Sequence, residues 1–164
     1  MIAKSPYIVK ELANDGIVPI VVAREENNES KIEYLTTKRV LPYISMNETN
    51  YIAFDEPSIE YHIELFCYMQ NKLNQNVSGL DEWLKNKGCT DLYDWYNTNT
   101  FTMGQKTLPY CVRNNIDHPL VDDDNNEQRH EAFINNNIFN KREIIKQSIE
   151  IMRNMIWNNP DDFD

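Results

Sequence analysis

FDEPSIEYHIELFCYMQNKLN (residues 54–74) is where the chain changes its repeat. Before Pro57 the apolar residues come in short runs rich in β-branched side chains. After it, Ile59, Ile63, Phe66, Cys67, Gln70 and Leu73 recur at steps of three and four, the spacing of one helical face. Ser58, directly behind a proline, suits a helix N-cap. A helix from here to about Asn74 divides the chain into a strand-rich segment, residues 1–57, and a helical domain, residues 58–164.

Upstream, GIVPIVVAR (16–24) has the composition of a strand, EENNES (25–30) that of a polar turn, and KIEYLTT (31–37) alternates apolar with polar. NYIAFDEP (50–57) reads as a further short strand. Pro19 and Pro42 place some of these strands at edges. Downstream, LDEWLKNKG (80–88) reads as a short helix closed by Gly88, and DLYDWY (91–96) as an aromatic turn. Pro109 suits the first turn of a third helix carrying Leu108, Val112 and Ile116, which Pro119 ends near His118. Residues 119–137 are acidic and Asn-rich, a loop. A last helix starts at Asn140, with Glu143 completing a capping-box-like pair, and turns Ile144, Ile145, Ile149, Met152, Met155 and Ile156 inward. It stops before Pro160, and NNPDDFD should fray. The expected fold class is α+β, mostly α: about four helices with a small N-terminal β-hairpin or meander packed on them.

Composition narrows the functions. With 164 residues, 41% hydrophobic, the chain can core one domain of ordinary size. It has neither an apolar run near the ~20 residues that span a bilayer nor a secretory leader, so the expectation is a cytoplasmic protein without membrane contact. Three widely spaced cysteines (Cys67, Cys89, Cys111) give no disulfide framework and read as reduced, largely buried thiols. Sixteen Lys+Arg against 26 Asp+Glu leave a net charge of −10, which argues against a broad basic nucleic-acid face but permits a small basic pocket.

The segment richest in chemistry is LPYCVRNNIDHP (108–119), in which Arg113 precedes His118 by five residues. An arginine holds phosphate bidentately while staying charged, and a histidine exchanges protons near neutral pH. Five residues set two side chains about 140° apart on an ideal helix, so the pair shares a face only if the helix end distorts or two copies meet. Spacing alone equally allows a surface ion pair of Arg113 with Asp117 and a helix-end role for His118. Glu60, His62 and Glu64 form a second polar cluster, read either as substrate-binding residues or as a solvated helix start with a histidine half-buried on the core. FDEP resembles an ATPase acidic strand, yet no G-x-x-x-x-G-K-[ST] accompanies it. His62, His118 and His130 are scattered, so neither a metal nor a cofactor is expected. Tyr93, Trp95, Tyr96 and Phe101 read as core rather than as a base-stacking platform.

R-N-x-x-x-H at a helix end resembles the motif of the HEPN superfamily of ribonucleases. The resemblance is greatest to HEPN-like C-terminal regions of ABC-type ATPases in prokaryotic antiviral systems, and it runs in order through FDEPSIEYHIELFCYMQ, SGLDEWLKNKG, TLPYCVRNNIDHP and FNKREIIKQSIEIM, about residues 50–157. It implies a HEPN-like bundle, a homodimer, and a metal-independent endoribonuclease or its inactive descendant, acting in antiviral defence or as a toxin. Arg113 would hold the scissile phosphate, His118 would act as general base or acid, and Asn114 would orient the histidine or bind phosphate. RNA, tRNA included, would be the substrate, and an ATPase or antitoxin the partner protein. Asp117 and the DDDNNE loop (122–127) depart from the pattern by setting negative charge beside the site. The rival reading is a non-enzymatic acidic interaction protein, such as a phage-borne inhibitor or nucleic-acid mimic.

Overall fold

A computed structural model describes residues 20–24, 30–34, 39–97, 102–117 and 141–164. They fall into two compact units, Met1–Tyr61 and His62–Asp164. The described residues are mostly helical, with small antiparallel sheets, as the α+β reading expects.

In the first unit, β1 (Ile20–Arg24) pairs antiparallel with β2 (Ser30–Tyr34), in a register running from Ile20 opposite Tyr34 to Arg24 opposite Ser30. This is the expected hairpin; residues 16–19 and 35–37 of the two runs lie outside the described residues. The third expected strand is instead a helix, α1 (Met46–Phe54), which lies against β1. The cause lies upstream of the quoted run: Ser45 caps the helix, its Oγ accepting from the backbone N–H groups of Asn47 (3.1 Å) and Glu48 (3.2 Å). That cap outweighs the strand preference of Tyr51, Ile52 and Phe54. Asp55, in the FDEP stretch, closes α1 in the left-handed conformation (φ 53°), its N–H donating to the Tyr51 carbonyl. Glu48 is fully buried, and its Oε1 accepts from the Val40 N–H (2.7 Å) and the Tyr61 hydroxyl (3.1 Å), tying the incoming chain to the helix.

α2 (Ile59–Leu73) starts where the sequence places it, with the Tyr61 N–H donating to Ser58 Oγ at 3.1 Å. Its buried face is Tyr61, His62, Leu65, Phe66 and Met69, rotated from the expected stripe so that Cys67 is exposed. α3 (Val77–Asn86) begins a turn earlier than expected because Asn76 Oδ1 accepts from the Gly79 N–H. It ends in a Schellman motif: Gly88 (φ 91°) donates to the Lys85 carbonyl and Cys89 to that of Leu84.

The main surprise of the second unit is a second hairpin. β3 (Leu92–Asn97) pairs antiparallel with β4 (Thr102–Thr107), where an aromatic turn and a polar loop were expected. Trp95 is buried and meets Tyr110 edge-on at 5.8 Å, while Leu92 and Asp94 face solvent, a two-residue alternation that a single short run displays weakly. Trp95 is therefore core, as read; Tyr93 is half-buried, and the Tyr96 and Phe101 side chains lie outside the description.

α4 (Leu108–Asp117) follows β4 directly, with Leu108, Cys111 and Val112 buried. α5 (Lys141–Asn158) buries Ile145, Ile149, Met152 and Ile156 and packs on α4. The terminal residues do not fray. Pro160–Asp162 form a 3-10 turn that inserts Phe163, 7% exposed, between Tyr68 and Trp83. Burying that ring contributes about 2 kcal/mol, enough to offset part of the ordering entropy that the polar residues around it cannot.

Candidate functional site

α4 carries Arg113 and Asn114 in its second half, and both side chains are half-buried. The helix forms here because Pro109 fits its first turn and Leu108 and Val112 anchor one side. Asn114 turns its amide back along the helix, Nδ2 donating to the Tyr110 carbonyl at 2.9 Å, and Asn115 does the same to Cys111. The Asn114 carbonyl oxygen is therefore the atom it could offer a neighbour. His118 lies outside the described residues, as do His130, the 122–127 loop and the side chain of Asp117.

The structure brings Arg113 into electrostatic reach of His62, a residue of the second polar cluster. His62 is fully buried on α2; its Nε2 lies 2.9 Å from Ser148 Oγ of α5 and its ring stacks on Phe66. Nδ1 is buried with no hydrogen-bond partner. Burial, and secondarily the Arg113 guanidinium, push the imidazole down to about 3, so it is neutral at any physiological pH. A neutral inner neighbour does not compete with an incoming anion for the guanidinium. Glu60, by contrast, is exposed and Glu64 half-buried, so the three cluster residues occupy three different environments, and His62 has no surface through which to touch a substrate directly.

A second polar group was not singled out from the sequence. Asp81 of α3, its side chain fully enclosed, accepts through Oδ1 from the Thr107 N–H (2.8 Å) and hydroxyl (3.0 Å) and through Oδ2 from Lys106 (2.8 Å) and Lys85 (2.9 Å). Burial would raise its carboxyl, but the bonds from Lys106, Thr107 and Lys85 outweigh this and hold it below the usual carboxylate range. Lys106 also sits 4.7 Å from the Tyr110 ring centroid. The acceptor positions of Asp81 are satisfied within the fold, so the cluster fastens α3 to β4. In sequence, Asp81 stands beside Glu82 and reads as one more solvated acid; the signal that would have marked it is a lysine-threonine pair 25 residues away. The Cys111 thiol, fully buried, is pushed up by burial and stays protonated.

Among the described residues no group of His, Cys, Asp and Glu could hold a metal ion, and no helix is long and apolar enough to cross a membrane. No family model, curated protein or solved structure matches the chain.

Proposed function

We propose that the chain is a HEPN-type endoribonuclease domain that cleaves RNA without a metal ion, in antiviral defence or as a toxin. The observation that supports this reading most is the half-buried Arg113, followed by Asn114, in the second half of α4 of a mostly helical unit, with His118 five residues after Arg113 in the sequence. In this reading Arg113 grips the scissile phosphate and stabilises its developing charge. His118 takes the ribose 2′-hydroxyl proton as that oxygen attacks the adjacent phosphorus. A bond from O2′ to phosphorus forms, the bond to O5′ breaks, and the departing O5′ gains a proton, leaving a 2′,3′-cyclic phosphate. A homodimer apposing two α4 helices brings the Arg113 of one copy to the His118 of the other, removing the ~140° separation that a single helix imposes.

The net charge of −10 favours a second reading, a non-enzymatic acidic protein that mimics nucleic acid. One experiment separates the two. Purified protein is incubated with total RNA and with tRNA, both with magnesium and in EDTA, beside Arg113→Ala and His118→Ala. The nuclease reading expects cyclic-phosphate ends from the wild type and a loss of about a hundredfold or more in each variant. Cleavage unchanged in both variants removes the site, cleavage abolished by EDTA removes the metal-free chemistry, and intact RNA throughout leaves the acidic binder.

A further inference from the structure

The last residues of the chain are held by side chains rather than by regular structure. After α5 the backbone makes one 3-10 turn, closed by the Asp162 N–H to the Asn159 carbonyl (3.1 Å) and the Phe163 N–H to that of Pro160 (2.9 Å). The Asn159 amide donates back to the Met155 carbonyl of α5 (2.8 Å), and side chains of α2, α3 and the α3 C-cap fasten the residues that follow. The Phe163 ring stacks on Tyr68 at 5.9 Å and meets Trp83 edge-on at 5.7 Å. The Tyr68 hydroxyl donates to the Phe163 carbonyl at 3.4 Å. Lys87 Nζ lies 2.6 Å from Asp162 Oδ2 and 5.5 Å from the Trp83 ring centroid.

The notch thus reads three features of its occupant: an aromatic ring, a carboxylate on the residue before it, and a main-chain carbonyl. None of them depends on the covalent link through Asn159. We propose that the Tyr68–Trp83–Lys87 notch is a recognition site for an acidic peptide segment centred on Asp-Phe, presented by a partner protein, and that residues 160–163 occupy it in cis. The proposal does not rest on the nuclease reading.

Two considerations favour exchange over a permanent seat. The grip is narrow: the side chains of the ion pair are each about one-third solvent-exposed, and the tyrosine bond is at the long end of the range, so much of the hold falls on one ring. The charge is also specific. On a protein of net charge −10, Lys87 with the Trp83 face is a local feature on which an acidic segment can settle. Residues 160–163, tethered through Asn159, compete at high effective concentration, so a partner segment enters when they are out.

The test uses a fluorescein-labelled peptide of residues 158–164, Asn-Asn-Pro-Asp-Asp-Phe-Asp, and the full chain. Anisotropy should show saturable binding to Phe163→Ala and at least tenfold weaker binding to the wild type, whose notch is filled. Binding should vanish when Lys87→Glu is added or when the peptide's phenylalanine is alanine. If Phe163→Ala loses its helical circular dichroism, Asp162→Ala replaces it, loosening the tail while keeping the ring; the peptide should then bind it more tightly than the wild type. A folded variant that does not bind overturns the proposal, as does equal binding to variant and wild type. A wild-type dimer that Phe163→Ala converts to monomer also overturns it, by assigning the notch to a second copy.

Discussion

The chemistry of His62 departs far from its ordinary behaviour. In the unfolded chain it takes a proton below about pH 6.5; in the fold it stays neutral down to about 3. The folded state therefore binds fewer protons than the unfolded one throughout that interval. The stabilisation is complete above pH 6.5 and drains away as pH falls toward 3, by about 1.4 kcal/mol per unit. Between pH 7.5 and 5, His62 alone should remove about 2 kcal/mol. Urea titrations at the two pH values should show this difference in the wild type and a much smaller one in His62→Gln; equal differences would mean that the imidazole is not held neutral. Asp81 acts in a separate window, since a carboxyl held low loses its contribution only as pH drops through and below about 4. The Arg113 field has its own signature. In Arg113→Gln the His62 ring should titrate at higher pH than in the wild type, read by the nitrogen shifts of the imidazole, while burial keeps it below 6.5. An unchanged titration would separate the two side chains. Ser148→Ala, which takes the partner from a buried ring nitrogen, should destabilise by about 1–3 kcal/mol.

At the scale of elements, the ends of helices govern what forms. Gly88 holds φ 91° with open space where a side chain would begin, so Gly88→Ala is free of clashes and its effect is backbone strain alone. About 1–2 kcal/mol of destabilisation is expected from thermal or urea unfolding, and a neutral result would mean that α3 ends otherwise. Asp81→Ala, which takes the fully enclosed carboxylate away from Lys85, Lys106 and Thr107, should cost more, about 3 kcal/mol or above. The same local grammar explains what could be read in advance. Ser58, Gly88 and Pro109 each act through their nearest neighbours, so their elements were legible in the sequence. The hidden elements depended on something further away. Ser45, Met46, Asn47 and Glu48 spell a cap followed by a glutamate, but the apolar run they start carries strand-forming residues, and the buried Glu48 earns its place only through Val40 and Tyr61. β3 needs β4 across a polar connection before its alternation means anything, and Phe163 needs rings from α2 and α3. The candidate site divides in the same way: Arg113 and Asn114 stood out by motif, whereas the role of Ser148 and the burial of His62 depend on helices far apart in sequence.

For the whole molecule, charge sets how any RNA contact must look. Ten more acids than bases leave no extended basic face, so a ribonuclease built on this chain engages its substrate through very few phosphates. Each phosphate neutralised on a single strand contributes about −0.7 to the slope of log affinity against log salt. A dimer presenting two Arg113 guanidinium groups should therefore show a slope near −1.4, and a single engaged site near −0.7. Filter-binding of a short single-stranded RNA to the His118→Ala protein, which the nuclease reading expects to be inactive, between 50 and 300 mM salt measures this directly. Arg113→Ala in the same background should flatten the slope toward zero along with the affinity. A slope steeper than about −3 would reveal a broad cationic surface that the composition does not supply, and with it a partner or a fold of the chain different from the one argued here. The proposed dimer would carry a second consequence of the same charge. Two copies at −10 each repel, and screening relieves that repulsion, so added salt should favour the dimer while weakening each phosphate contact. Cleavage measured at protein concentrations below the dimerisation constant should then rise with salt before it falls. A rate that only falls would place the complete site within one chain.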